Sequence, residues 1–268
     1  MQKKIKSFDG TIINYDISRG ENKKTFLIFV HGVAGNLKVW KRIRLFFRKR
    51  GISTLAVDLR GHGKSGKPKS AENYKLEDFA KDINEVIKKE NIFSPIIVGH
   101  SLGTMVTLTF HRLYPKISEK YVLISGAYKI PRKLKSVFKN VLSFAHPFDK
   151  EIEKTKSYLP TYNFIKNLKE YNVINFINQM MSNSVKSILF VFENMNKFNE
   201  KKNLHNIRKP VLILGGRSDS VISIKNSEKM HKLIKNSKLR IFPTEDHEII
   251  NSIPKEISKE ILSFINKK

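Results

Sequence analysis

The chain of 268 residues contains no cysteine. Disulfides and thiol nucleophiles are therefore excluded, and a cytoplasmic protein is expected. No apolar run reaches the ~20 residues that span a bilayer. The basic N-terminal residues Lys3, Lys4 and Lys6 are not followed by an apolar core, so no signal peptide is expected. No set of His, Asp and Glu has a metal-ligand spacing such as H-E-x-x-H, so no metal site is expected. Acidic residues are scarce: 24 Asp and Glu stand against 51 Lys and Arg, a formal net charge of +27. The lysines are spread along the whole chain rather than gathered in one block interleaved with aromatics. No nucleic-acid-binding module is recognisable, and no nucleic acid partner is expected. The charge reads either as a solvated basic surface or as peripheral attraction to anionic membranes or substrates, acting over about a Debye length. Oligomeric state is not legible.

What is present centres on Gly99-His100-Ser101-Leu102-Gly103. The apolar, β-branched stretch Pro95-Ile96-Ile97-Val98 before it reads as a buried strand. The stretch from Thr104 to Tyr114 after it reads as a helix that stops at Pro115. A strand that becomes a helix within a few residues bends sharply, and glycines two before and two after the serine leave room for the crossing. The serine is then held at a helix N-terminus, where free N–H groups and the dipole favour developing negative charge. That is the nucleophile turn of a serine hydrolase.

The rest of the chain alternates strands and helices, which predicts an α/β sheet. Residues 2–18 read as a β-hairpin about the two-residue turn Asp9-Gly10, giving edge strands. Thr25–Val30 is a continuous apolar strand, and the loop His31-Gly32-Val33-Ala34-Gly35-Asn36 follows it. Ligands of open α/β sheets bind at such strand ends. The Val33 and Leu102 backbone N–H groups are the expected oxyanion donors, one such donor being worth about 3–4 kcal/mol. His31 reads as a residue that holds the loop or borders the pocket. A helix over 37–50 carries Trp40, which packs in the core or lines the pocket mouth. Strand 53–58 leads into Asp58-Leu59-Arg60-Gly61-His62-Gly63-Lys64-Ser65. Its charged residues read as a structural network, and the spacing does not fit a phosphate loop. An amphipathic helix over 76–90 and a strand over 121–125 follow.

From about Tyr128 to His205 the alternation stops. Phe-, Lys- and Asn-rich helical stretches punctuated by Pro131, Pro147 and Pro160 predict a helical cap at 128–205, inserted in a core of 1–127 and 206–268. Its aromatics, Phe144 and Phe148 among them, either fill the cap or face Ser101 as an apolar acyl pocket. The sheet resumes at 210–215, followed by a helix over 223–235, a strand over 238–242 and a last helix over 254–266.

A serine hydroxyl needs a base to take its proton, and the base needs a carboxylate to fix its tautomer. Three strand-end loops supply Ser101, Asp219 and His247, in that order, on one edge of the sheet. Asp246 adjoins the base and is badly placed for its Nδ1. The motifs Val30-His31-Gly32, Asp58–Ser65, Gly99–Gly103, Gly216-Arg217-Ser218-Asp219 and Asp246-His247 resemble the α/β-hydrolase fold superfamily in order and spacing, close to its single-domain members with a helical cap. The resemblance implies an eight-stranded, mostly parallel sheet and a Ser-His-Asp triad without cofactor. Serine at 101 departs from the branches that carry Asp or Cys there. The cap matches no substrate-specific subgroup. The expected activity is hydrolysis of a small-molecule carboxylic ester through an acyl-enzyme, with an apolar acyl or aryl group and a monoacylglycerol- or lysolipid-like substrate favoured. An amidase, an aminopeptidase, a C–C hydrolase or lyase, and a ligand receptor on the same fold are the alternatives.

Overall fold

Apolar, β-branched runs become strands and amphipathic runs become helices, in a computed structural model that describes residues 1–131, 134–136 and 184–267. The strands are β1 (Gln2–Lys6), β2 (Ile12–Ser18), β3 (Asn22–Val30), β4 (Ile52–Val57), β5 (Ile96–His100), β6 (Lys120–Ile124), β7 (Val211–Gly216) and β8 (Ser237–Phe242). They form one eight-stranded sheet in the order β1-β2-β4-β3-β5-β6-β7-β8. β2 pairs antiparallel with β1 and β4, and every later pairing is parallel.

The strand period of two divides each apolar run between two cores. Ile28, Val30, Ile97, Leu123 and Ile213 face α2 (Leu76–Lys89) and α3 (Leu102–Leu113). Leu27, Phe29, Val98, Val122 and Leu212 face α1 (Lys41–Arg48) and α7 (Pro254–Asn266). Along the chain between α3 and α7 come α4 (Val185–Lys197), α5 (Lys225–Leu233) and the short α6 (Ile249–Ser252). The helix expected over 37–50 is split: Leu37–Trp40 is a 3-10 turn capped by the Asn36 side chain, and α1 follows it.

The first hairpin differs from the expected two-residue turn. Gly10 N–H donates to Ser7 O and Ser7 N–H to Thr11 O, with Gly10 at φ 87°. This is a three-residue loop in which a left-handed glycine closes a bulge after a tight turn. The longer loop lets Asp9 reach Arg60, whose Nη1 donates to Asp9 Oδ2 at 2.9 Å. The same fully buried guanidinium forks onto Asp82 of α2 with two contacts of 2.7 Å. Removing one member of a buried pair leaves a bare charge and costs about 3–5 kcal/mol. Arg60→Met is therefore expected to lower the thermal midpoint by about 10 °C for a chain of this size. Calorimetry of the variant checks it, and an unchanged midpoint would show that the fork contributes nothing.

The connection from β6 to β7 is anchored at both ends. Lys129 bridges Asn199 antiparallel, and Glu200 N–H donates to Tyr128 O at 2.8 Å. α4 then packs on the 3-10 turn Ala71–Tyr74: Tyr74 Oη donates to Ser187 Oγ at 2.8 Å, and Asn194 Nδ2 donates to Ala71 O at 2.9 Å.

Candidate active site

β5 ends at His100 and α3 begins at Leu102, so Ser101 is the whole turn between them. Its φ of 52° and ψ of −113° lie where a side chain is rarely tolerated. The strain persists because the crossing over-determines it. A Cβ at Gly99 would overlap the Gly103 carbonyl, and one at Gly103 would overlap that of Val30. Ser101 N–H donates to Ile124 O at 3.0 Å, and Thr104 Oγ1 to Gly99 O at 3.0 Å, which fixes the turn from both sides.

Asp219 follows β7 and His247 follows β8. Arg217 N–H reaches Phe242 O at 2.9 Å and Ser218 N–H reaches Glu245 O at 3.0 Å, so the two loops are tied to each other. The structure brings the three side chains together. His247 Nε2 lies 2.9 Å from Ser101 Oγ, and His247 Nδ1 lies 2.9 Å from Asp219 Oδ2. The carboxylate accepts, so Nδ1 carries the proton and Nε2 turns its lone pair to the serine hydroxyl. Asp219 Oδ1 accepts from Val221 N–H at 3.0 Å and Ile222 N–H at 2.7 Å, which locks the carboxylate's rotation. Burial by itself pushes the His247 imidazole down, but the Asp219 hydrogen bond and charge outweigh it, and the ring is held above its ordinary value.

The loop after β3 comes next to the serine: a Cβ on Gly32 would sit 3.2 Å from Ser101 Cβ. Val33 is half-buried there. Among the described residues, neither Val33 N–H nor Leu102 N–H has a hydrogen-bond acceptor. His31 and Trp40, expected to border the pocket, are placed elsewhere. His31 is fully buried, accepts from Leu59 N–H at 3.0 Å on Nε2 and donates from Nδ1 to Gly32 O at 2.7 Å. It props the loop from behind, and burial pushes its imidazole down to about 4. Trp40 is fully buried in the core facing α1 and α7, with its ring 5.0 Å from that of Phe29. Phe144 and Phe148 lie outside the described residues.

Asp58 and its loop form a network rather than a second site. Asp58 accepts from Leu37 N–H, Asn14 Nδ2 and Lys64 N–H at 2.7, 2.8 and 2.9 Å. Asp246 accepts from Glu248 N–H at 2.9 Å, two residues on. Among the described residues no cluster of three or more His, Asp and Glu side chains has metal-holding geometry.

Sequence reasoning missed one contact. His100 Nε2–H donates to the backbone carbonyl of His247 at 3.0 Å, and the two rings lie 5.2 Å apart. No periodicity signals a bond between residues this far apart in the chain. His100 thus ties the strand that carries the serine to the loop that carries the imidazole. Its loss removes one hydrogen bond to a buried carbonyl, worth about 0.5–1.5 kcal/mol. His100→Phe is expected to lower kcat about tenfold with KM little changed, while His100→Gln, whose amide reaches the same point, retains turnover. Steady-state kinetics of the pair check it.

Comparison with known proteins agrees with this architecture. The family model described as alpha/beta hydrolase fold matches residues 25–251. Protein ABHD8 of Bos taurus is 23% identical over 262 residues, covering 92% of this chain and 57% of that protein. The chain thus spans a little over half the length of such relatives. The bifunctional esterase/perhydrolase DCH of Acinetobacter calcoaceticus is 27% identical over 278 residues, covering 96% of this chain and 97% of that one. Among solved structures, an esterase from Exiguobacterium antarcticum superposes with a TM-score of 0.81 at 19% identity over 100% of both chains. The match runs through all but the first strands and the last helix, over a sheet of the right order, and the chain belongs to the alpha/beta hydrolase fold family.

Proposed function

We propose that the chain hydrolyses small-molecule carboxylic esters through an acyl-enzyme on Ser101. The observation that carries this reading is the unbroken relay of two 2.9 Å contacts from Ser101 Oγ through His247 to Asp219. Ser101 Oγ attacks the ester carbonyl while His247 Nε2 takes its proton. The Asp219 carboxylate holds the Nδ1–H tautomer and stabilises the imidazolium. The unpaired Val33 and Leu102 N–H groups receive the tetrahedral oxyanion. Collapse expels the alkoxide, which takes the proton from His247 Nε2. Water then attacks the acyl carbon, giving its proton to His247, and collapse returns that proton to Ser101 with release of the acid.

The esterase names of the Acinetobacter and Exiguobacterium proteins support an ester over an amide or a C–C bond. The eight phenylalanines of 128–205, which we assign as a cap between the core segments 1–127 and 206–268, favour an apolar acyl or aryl group. Monoacylglycerol- or lysolipid-like esters fit that chemistry. The absence of cysteine supports a cytoplasmic setting, and the basic surface supports contact with anionic membranes. A panel of p-nitrophenyl esters, anilides and lysolipids tests the substrate class. Turnover of esters with none of anilides is expected, and the reverse would move the assignment to an amidase.

The neutral imidazole is the working form, so activity is lost as pH falls through the His247 pKa. Because Asp219 holds that pKa above its ordinary value, the acid limb of kcat/KM is expected above the usual histidine value of about 6.5. A limb below that value would show that burial, and not Asp219, governs the ring.

A further inference from the structure

The free edge of the sheet carries features that the active site does not use. Among the described residues β1 has no outer neighbour, and it runs beside α2, with Ser7 Oγ bonded to Asp82 at 2.5 Å near one end and Lys3 Nζ to Glu90 at 2.9 Å near the other. Between strand and helix lies an open groove of about 540 Å³, lined by Lys4, Ile5, Lys6, Glu85, Lys88 and Lys89. Its one carboxylate is occupied by Lys88 at 2.8 Å. Lys4, Lys6 and Lys89 are exposed and, among the described residues, have no carboxylate within ion-pair distance.

Two exposed aromatic rings follow the elements that wall this groove, Phe8 just after β1 and Phe93 just after α2. Phe8, on the hairpin tip, is 46% exposed, with Lys81 Nζ 4.7 Å from its ring centre. Phe93, past the end of α2, is 85% exposed. These are the two exposed phenylalanines among the described residues. Phe93 is held outward by the way α2 ends. Asn91 takes φ 50°, Asn91 N–H donates to Lys88 O at 3.1 Å, and Ile92 N–H donates to Ile87 O at 3.0 Å. That pattern closes a helix and buries the following apolar residue, here Ile92. The next side chain is left projecting from a fixed turn.

We infer that this edge is a docking face for anionic lipid bilayers. Unpaired lysines meet the negative surface, and the exposed Phe8 and Phe93 rings enter the headgroup boundary. Lys4, Lys6 and Lys89, with Lys88 beside them, make four clustered basic residues, the lower end of the four to eight that such surfaces take, and exposed phenylalanine adds the apolar component. Flexible lysines suit a fluid layer of phosphates better than the fixed forks that arginine offers a nucleic acid. Ser101 lies four strand spacings from β1, about 19 Å, so docking leaves its end of the sheet open.

Sedimentation of the full chain with phosphatidylcholine vesicles, with and without phosphatidylglycerol, tests the inference. Binding is expected to the mixed vesicles and to weaken as salt is raised. Joint Lys4→Gln, Lys6→Gln and Lys89→Gln substitution should lower partitioning about 100-fold, at about fivefold per lysine. Phe93→Ser should lower it about tenfold. Lys225→Gln, Lys229→Gln and Lys232→Gln remove the same charge from α5, which packs on the far strands β7 and β8, and should have at most about a threefold effect. In Phe93→Trp, indole emission should shift to the blue on mixed vesicles, against the single buried Trp40. Equal loss in the α5 variant, no binding to mixed vesicles, or binding of single-stranded RNA in their place would overturn it.

Discussion

Ser101→Ala is expected to lower turnover of p-nitrophenyl esters by about 10⁴-fold or more, with the folded state intact. The substitution removes one oxygen and leaves the rest of the site in place. Alanine keeps the same Cβ and meets the same backbone strain at φ 52°, so thermal stability should hardly move. Gly99 and Gly103 still cross, and the relay from His247 to Asp219 remains. What is lost is the atom proposed to form the acyl bond. The proposed oxyanion donors and the substrate contacts stay in place, so residual catalysis of about 10³–10⁴ over the uncatalysed rate is expected. Turnover within tenfold of the parent would mean that the hydroxyl is a bystander.

Asp219→Asn is expected to cost about 10⁴-fold in kcat by a different route. The amide oxygen can keep the two bonds from Val221 and Ile222 N–H, so the side chain stays in position. Its NH₂ group then faces His247 Nδ1, where a carboxylate oxygen stood at 2.9 Å. A donor there forces Nδ1 to accept, which moves the ring proton to Nε2. The imidazole then points an N–H at Ser101 and cannot take its proton. Asp246→Asn is the matched control: Asp246 serves Glu248 N–H rather than the imidazole, and near-parental turnover is expected. If Asp246→Asn proves the damaging change, the carboxylate is misassigned.

The parts of this molecule that were legible in its sequence are those that follow from local pattern. Apolar runs such as Phe26–Val30 and Ile96–Val98 announce strands covered on both faces, and the glycines around Ser101 announce a sharp crossing. The positions of Asp219 and His247 follow once each is read as lying just past a strand, because parallel strands end at one edge. What was not legible depends on contacts between distant segments. Arg60 looks like one charge in a polar loop, yet its side chain is fully buried between α2 and the first hairpin. Trp40 sits at a helical position open to either reading, and the neighbouring Phe29 settles it for the core. His31 adjoins the site in sequence but faces away from it, because Leu59 N–H holds its Nε2. The bond from His100 to the His247 carbonyl has no local signature at all.

Mapping the adduct of a fluorophosphonate probe by peptide mass spectrometry tests the account most directly. A single phosphonyl group on Ser101, formed with loss of fluoride and absent from Ser101→Ala, is the expected result. An adduct on any other residue, or an active esterase that the probe leaves unlabelled, would contradict it.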